Sequence, residues 1–282
     1  MRIKVTSDST CDLSQELLEQ YDITLMPLTV MKGGKDYLDG VNITPSDIFQ
    51  HVAAGGDLCS TSAVNVADYH EMFQKWLAEY DAVIHITISA EFSSCYQNAC
   101  LAAEDFEDVY VIDSRNLSTG HGHVVLETCK RVKMGMEPKQ IVAEVQELAT
   151  RVDASFLLDR LDYMVKGGRC SMVAALGANL LHLKPCIEVV DGKMRVGKKY
   201  RGNFPKCLTA YVRDRLEGRD DLVPERIFIT HTEIGDDCLQ ASRSAVAAYG
   251  HFDRVYETTA GCTVSCHCGP GTLGILYIHE KA

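Results

Sequence analysis

The sequence has no excess of basic residues. Its 28 lysines and arginines are outnumbered by 39 aspartates and glutamates, so the formal net charge at pH 7 is −11. A surface of this sign repels the phosphates of nucleic acids and of anionic lipid headgroups. Nucleic-acid binding and electrostatic adhesion to a membrane surface are therefore disfavoured.

The sequence also lacks a long uninterrupted apolar run. Its most apolar stretch, residues 172–190, contains Asn179, His182, Lys184 and Glu188. A membrane-spanning helix needs about 20 mostly apolar residues. The first ten residues lack the apolar run of a signal peptide. We therefore expect a cytoplasmic protein with no membrane insertion.

The sequence contains neither common nucleotide-binding fingerprint. It has no Gly-x-x-x-x-Gly-Lys-Ser/Thr, and no Gly-x-Gly-x-x-Gly follows the first apolar strand. The Gly-x-Ser-x-Gly nucleophile elbow of many serine hydrolases is absent as well. We expect no bound cofactor.

The twelve cysteines are dispersed along the chain. Three of them, Cys262, Cys266 and Cys268, lie beside His267, which leaves a tetrahedral zinc site or a thiol sensor open as an alternative. Zinc ligands in a pair usually have two or more residues between them, and residues 266 to 268 are consecutive. The spacing therefore favours structural thiols, and we expect no metal.

Strand and helix signals alternate over the first 160 residues, which favours a parallel α/β sheet. Residues 23–31 are predicted as one strand. Thr44, Pro45 and Asp47 are typical of a capped helix start. An earlier helix over 13–21 is expected to take Asp12 or Thr10 as its cap.

The pattern changes after about residue 160. A small-residue helix ending at Leu180 is predicted next, and Asp191-Gly192 is typical of a tight hairpin turn. The sequence therefore predicts two domains, a parallel α/β domain over 1–160 and a smaller α+β domain over 161–282.

Four hydroxyl-rich turns are predicted at strand ends or before helices. Ligands of open α/β sheets bind beyond the carboxyl ends of the strands, and hydroxyls beside free helix amides suit an anion. For any single turn, simple N-capping is the favoured interpretation. Four such turns in one sheet favour a shared ligand for some of them, so both interpretations stay open. The four turns are Asp8-Ser9-Thr10, Ser60-Thr61-Ser62, Ser89 to Ser94, and Asp113-Ser114.

The motifs, taken together and in order, resemble those of the DegV family of bacterial fatty-acid-binding proteins over nearly the whole chain. All four hydroxyl-rich turns match the family. The other matching segments are Thr44-Pro45, Tyr96-Gln97, Gly167-Gly168-Arg169, Leu183-Lys184-Pro185, Asp191-Gly192-Lys193, Arg201, and His267-x-Gly269-Pro270-Gly271-Thr272.

This resemblance implies a two-domain DegV-like fold in which the smaller domain closes over a buried acyl chain. It implies a non-catalytic carrier that presents the carboxylate of a long-chain fatty acid to a separate kinase, the catalytic subunit of a fatty acid kinase, which forms acyl phosphate for phospholipid synthesis. The residues implied for ligand binding are Thr61, Ser62, Ser93, Ser94, Arg169, Arg201 and His267. The Gly-Pro-Gly turn is expected to place His267 at a loop edge near the mouth of the site.

The chain departs from the family pattern at one place. The family typically has Ser-Gly-Thr where this sequence has Ser93-Ser94-Cys95. Cys95 replaces a hydroxyl with a weaker hydrogen-bonding group, which bears on the geometry of the headgroup site. A hydrolase or acyltransferase that uses Ser93 with His267 is the alternative function.

Overall fold

The first half of the chain forms a parallel four-stranded sheet. The structure is a computed structural model and describes residues 1–170 and 183–281. The strand order is β2-β1-β6-β7, and every neighbouring pair is parallel, as predicted. The two central strands are buried, and β6 is mostly apolar as expected for such a strand, whereas β1 also buries the polar residues Thr6, Ser7 and Asp8. The strands are β1 Ile3–Asp8, β2 Thr24–Met26, β6 Ala82–Thr87 and β7 Val109–Asp113.

Pro27 divides the segment that was predicted as one strand over 23–31. The residues before it form β2, whereas those after it form β3 in a separate antiparallel sheet of order β4-β3-β5. Proline has no N–H and interrupts a strand ladder, so the chain changes sheets here. The three strands are β3 Thr29–Lys32, β4 Lys35–Leu38 and β5 Ser60–Ser62.

The second half forms a mixed six-stranded sheet of order β10-β9-β8-β13-β11-β12. Strands β11 and β12 are parallel, and the other neighbours are antiparallel. The sheet begins in the chain with β8, before the predicted boundary at residue 160, and the division into domains stays a prediction. The strands are β8 Val152–Leu158, β9 Leu183–Val190, β10 Lys193–Arg201, β11 Ile227–His231, β12 Val255–Thr259 and β13 Thr272–Ile278.

Helices cover the sheets. The capped start predicted for α2 is confirmed, because Thr44 and Asp47 form a reciprocal capping box. The cap predicted for α1 is wrong: Ser14 caps it, and Asp12 has a left-handed backbone with φ of 50°. The helix predicted to end at Leu180 lies outside the described residues. The helices are α1 Gln15–Gln20, α2 Pro45–Ala53, α3 Val66–Leu77, α4 Cys95–Ala103, α5 Ser118–Lys133, α6 Pro138–Ala149, α7 Asp162–Gly167, α8 Phe204–Leu216, α9 Asp236–Tyr249 and α10 Cys262–Cys268.

The β9–β10 hairpin joins the two halves. Its turn has φ of 53° at Asp191 and 77° at Gly192, which is the geometry predicted for an Asp-Gly turn. The Ser89 hydroxyl donates to the Gly192 carbonyl oxygen at 2.8 Å, and Arg115 lies 3.3 Å from Asp191. The tip of the hairpin therefore contacts the loops that follow β6 and β7.

One hydrophobic core is shared by both halves. It combines Val83 and Ile88 of the first half with Phe156, Ile187 and Val264 of the second. Burial of this shared surface fixes the relative position of the two sheets. In the described ranges, no helix is long and apolar enough to cross a membrane.

Candidate ligand-binding site

Ser93 lies in the loop between β6 and α4, at the carboxyl end of the parallel sheet. Its half-buried hydroxyl donates to the Cys95 sulfur at 3.1 Å and accepts from the Cys95 N–H at 3.3 Å. Such local bonding is typical of Ser at a helix start. The loop therefore holds the Ser93 oxygen through residues that are close in sequence.

Thr61 approaches the same place from a different sheet. It lies on β5, where it is paired with Val30 of β3. The Thr61 hydroxyl is 2.8 Å from Nε2 of His267, a residue 206 positions later on α10. The contact between Thr61 and His267 therefore forms only when α10 packs against the three-stranded sheet.

Two aspartates hold α10 in this position. The Cys262 and Thr263 N–H groups donate to Asp39 at 2.8 and 3.1 Å, and the Gly261 N–H donates to Asp12 at 2.9 Å. The first N–H groups of a helix have no partners within it, and carboxylates stabilise that end. Both aspartates come from the first half of the chain, so they anchor this helix of the second half.

Burial changes the protonation of Asp12. It raises the pKa of this carboxyl group to about 8, with hydrogen bonds from Ser118 and Gly261 opposing the rise and the charge of Asp39 adding to it. Ser118 donates to the second Asp12 oxygen at 2.6 Å. The anchor of α10 is thus a pair of interacting, buried carboxyl groups.

His267 lies in the last turn of α10, so the expectation of a loop edge is wrong. The Gly-Pro-Gly turn follows the helix, and Gly269 takes a φ of 73° that favours glycine. Burial, with the charge of Arg169, lowers the pKa of His267 to about 4. The imidazole is therefore neutral at pH 7, with one donor and one acceptor nitrogen.

A cavity of about 50 Å³ is lined by Ser93 on one side and by Thr61 and His267 on the other. Five of the seven residues implied for ligand binding line it, whereas Ser94 and Arg201 are exposed and do not. The ligand-binding role of all seven stays a prediction. The polar lining residues are Thr61, Ser62, Ser93, Arg169, Thr263 and His267, and the others are Leu28, Ala63, Ile88, Phe92, Leu117, Met194, Val264 and Cys268.

A second cavity of about 30 Å³ continues into the protein interior. Leu117, Val264 and Cys268 line both cavities, so the two are adjacent. The second cavity is lined by Leu117 and Ser118 of the first half and by Phe156 on β8 and Leu276 on β13 of the second.

The family model for DegV matches residues 2–280 of the chain. Its description is "Uncharacterised protein, DegV family". The chain belongs to the DegV family. A DegV domain-containing protein of Clostridium acetobutylicum is 33% identical over 281 residues, and the alignment covers 99% of each chain. The resemblance of the sequence to this family is therefore confirmed.

Solved structures of fatty-acid-binding proteins share the fold. A fatty-acid-binding DegV family protein from Thermus thermophilus superposes with a TM-score of 0.88 at 31% identity, covering 99% of this chain and 100% of that one. A stearic-acid-binding protein from Eubacterium ventriosum gives a TM-score of 0.83 at 25% identity, covering 99% and 98%. The predicted DegV-like α/β fold is confirmed.

Two of the four hydroxyl-rich segments meet at the cavity of this DegV chain. Residues 60–62 form strand β5 rather than the predicted turn and contribute Thr61 and Ser62 to the lining, and the segment 89–94 contributes Ser93. Ser9 instead donates to Asp39 at 3.0 Å, and Ser114 donates to a neighbouring carbonyl oxygen. The other two turns therefore have structural roles.

Sequence reasoning missed the residues that position α10. Asp39 belongs to none of the motifs in the sequence, and Asp12 was predicted as a cap of the helix over 13–21. The nearest signal for Asp12 is the adjacent motif Asp8-Ser9-Thr10, which does not name the partner of each side chain. Both partners are more than 200 residues away along the chain.

The three clustered cysteines point into different parts of the core. Cys262 and Cys266 pack with Val30 and Tyr163, whereas Cys268 packs on the side of Val264. Within the described residues, no group of three or more His, Cys, Asp or Glu side chains could hold a metal ion. All twelve cysteines are described, and none forms a disulfide.

Proposed function

We propose that this DegV protein binds a long-chain fatty acid and presents its carboxylate to a separate kinase that forms acyl phosphate. The observation that carries the proposal is the convergence of Thr61, Ser93 and His267 on one cavity, beside a second cavity whose lining includes Phe156 and Leu276. The fatty-acid binding described for the Thermus thermophilus and Eubacterium ventriosum proteins supports it.

The two hydroxyls suit a carboxylate because each accepts one hydrogen bond from the protein and keeps its own proton to donate. The Cys95 N–H donates to Ser93. Neutral His267 with its proton on Nε2 donates to Thr61 in the same way. A hydrogen bond to a charged group contributes about 1.5–3 kcal/mol, and the exposed guanidinium of Arg169 adds positive charge at the opening.

The acyl chain is expected to occupy the two cavities, from Leu117 towards Phe156 and Leu276. Burial of each methylene contributes about 0.8 kcal/mol, so a chain of ~16 carbons gains on the order of 12 kcal/mol before association costs of about 4–15 kcal/mol. The two cavities have volumes near those of one or two water molecules. Binding therefore requires the lining side chains to move apart.

Transfer to a kinase requires that the protein bind the carboxylate and still release one of its oxygens for reaction. Hydroxyl donors at Thr61 and Ser93 release an oxygen more readily than a buried ion pair does. In the kinase step, a carboxylate oxygen attacks the γ-phosphorus of ATP, and ADP leaves. Arg169 and Arg201 are exposed and are proposed to face the kinase and the transferred phosphoryl group.

The alternative is a hydrolase or acyltransferase with Ser93 as nucleophile and His267 as base. Such a pair needs the base within hydrogen-bond reach of the nucleophile. In this structure Ser93 donates to Cys95, and the bonded nitrogen of His267 contacts Thr61. These contacts favour the carrier.

Organic extraction of the purified protein, followed by mass spectrometry of the lipids, tests the proposal. We expect one fatty acid per chain, or tight uptake of added fatty acid. Protein that contained no lipid and ignored added fatty acid would contradict the carrier. Ester hydrolysis by the isolated protein that Ser93→Ala abolishes, without loss of fatty-acid binding, would establish the alternative.

A further inference from the structure

Helix α10 presents two rows of side chains to the cavities. Thr263 and His267, four residues apart, line the first cavity but not the second. Val264 and Cys268 have the same spacing and line both cavities. Residues four positions apart lie on the same face of a helix. The polar row therefore marks the part of the site that suits a headgroup, and the apolar row marks the place where an acyl chain would begin.

Thr263 brings a buried hydroxyl to the first cavity. The residue is 5% exposed, and its Oγ1 atom has no hydrogen-bond partner within the part of the chain that the structure describes. The Thr263 N–H already donates to Asp39 at 3.1 Å, so the hydroxyl is the polar group that remains for a ligand. Buried hydroxyls in proteins nearly always have a partner. One that lacks a partner and lines a cavity indicates a polar ligand group in that cavity.

Thr263 is more deeply buried than the other hydroxyl-bearing residues of this cavity. Thr61 and Ser93 are half-buried, and Ser62 and Arg169 are exposed. The cavity has room for only a few non-hydrogen atoms, because its volume of about 50 Å³ is close to that of one or two water molecules. A carboxylate has two oxygens, so in a space of this size one oxygen faces the interior and the other faces the opening.

We propose that Thr263 donates a hydrogen bond to the inner oxygen of the ligand carboxylate and so turns the outer oxygen towards Thr61, Ser93 and the opening. This contact gives the buried hydroxyl its partner and leaves the outer oxygen on the side from which a kinase approaches. It also favours an ionised carboxylate over an alcohol of the same chain length, because the alcohol has a single, uncharged oxygen. The inference rests on the proposed function and deepens it by naming the residue that orients the headgroup.

The test compares the dissociation constants of oleic acid and oleyl alcohol for delipidated protein, measured by displacement of a fluorescent fatty acid. Thr263→Val keeps the shape of the side chain and removes its hydroxyl. In this variant the preference for the acid should fall by about 5- to 10-fold, because a hydrogen bond to a charged group is stronger than one to a neutral group by a factor of this order. Thr263→Ser restores the hydroxyl and should recover most of the preference.

Thr128→Val is the matched control. Thr128 is also a buried threonine within a helix, but its hydroxyl donates to the Val124 carbonyl oxygen at 2.8 Å. The residue lies outside the lining of both cavities. Its substitution should therefore leave the preference for the acid equal to that of the wild type.

Thermal melts of the delipidated proteins separate a ligand-binding role of the hydroxyl from a structural one. Thr263→Val should melt at or above the wild-type temperature, because it removes a buried hydroxyl that the protein itself does not pair. The same concentration of oleic acid should then raise the melting temperature of the variant less than that of the wild type. A structural role would instead lower the melting temperature of the unliganded variant.

Three results would overturn the inference. They are an unchanged preference for the acid in Thr263→Val, an equal loss in Thr263→Ser, and a lower melting temperature of unliganded Thr263→Val. In each case wild-type protein that binds oleic acid leaves the proposed function intact. Wild-type protein that bound neither ligand would overturn the inference and the proposed function together.

Discussion

The two sides of the pocket each present a hydroxyl group, but they hold it through different kinds of contact. We call Ser93 with Cys95 the Ser93 wall, and Thr61 with His267 the Thr61 wall. The Ser93 hydroxyl is bonded to a residue two positions away, whereas the Thr61 hydroxyl is bonded to one 206 positions away. The Ser93 wall therefore needs only its own loop, and the Thr61 wall depends on the docking of α10.

This difference predicts which contacts must be removed to disrupt each side of the site. In the Ser93 wall, Cys95 is fully buried in the same hydrophobic cluster as Tyr69. The Thr61 wall rests on a helix of seven residues that is tied to the first half by Asp12 and Asp39. A short helix has little stability of its own, so we expect the two walls to respond differently when these contacts are removed.

The largest effect is expected when the anchor of α10 is removed. Asp39→Ala leaves the Cys262 and Thr263 N–H groups and the Ser9 hydroxyl without their acceptor. Unpaired buried groups cost about 1–3 kcal/mol each. We expect the free energy of unfolding to fall by about 2–5 kcal/mol, measured by urea denaturation.

Hydrogen-exchange mass spectrometry of Asp39→Ala should show faster exchange in residues 262–268, while residues 93–103 keep their protection. Asp36→Ala is the control, since this exposed carboxylate lies three residues away on β4. Equal loss of protection in both segments would show that the walls are not independent.

The next effect concerns the hydroxyls themselves. Ser93→Ala and Thr61→Val each remove one donor to the ligand carboxylate, worth about 1.5–3 kcal/mol. Each should weaken fatty-acid binding by roughly 10- to 150-fold, measured by isothermal titration. Ser60→Ala, an exposed serine on the strand of Thr61, is the matched control and should bind normally.

Double variants then separate the walls. Adding His267→Ala to Thr61→Val should cause little further loss, because the imidazole acts through Thr61. Adding it to Ser93→Ala should cause an additional loss, since the two walls are expected to be independent. Full additivity in both pairs would argue for direct contact of His267 with the carboxylate.

The smallest expected effect is a dependence of stability on pH. The pKa of His267 is about 4 in the folded protein and about 6.5 when exposed. Because folding lowers the pKa, the stabilisation is complete above pH 6.5 and is lost as the pH falls towards 4. One such histidine gives a slope of up to about 1.4 kcal/mol per pH unit in this window.

Urea unfolding at pH 7 and pH 5.5 measures this slope. The wild type should lose stability on acidification, and His267→Gln should lose less. The buried residues His121 and His123, with pKa values lowered to about 4 and about 3, act in the same direction, whereas Asp12, with a pKa raised to about 8, acts in the opposite direction. These contributions are common to both proteins, so the difference between the two slopes isolates His267. Equal slopes in wild type and variant would place His267 in contact with water.

Local signals in the sequence predicted much of this protein. Thr44, Pro45 and Asp47 define a helix start, and Asp191-Gly192 defines a hairpin, because these residues satisfy or bend the backbone within a few positions. Thr61 and Ser93 could also be selected from local sequence, because both lie in hydroxyl-rich segments beside predicted strands or helices.

Only the tertiary structure decided how these pieces meet. Nothing near Asp12 or Asp39 in the sequence indicates that they bind the N-terminus of α10, and nothing near Thr61 indicates its contact with His267. Each of these contacts joins elements that are distant in the chain. Their energy comes from pairing polar groups that burial has removed from water, and burial is a property of the packed fold rather than of any one segment.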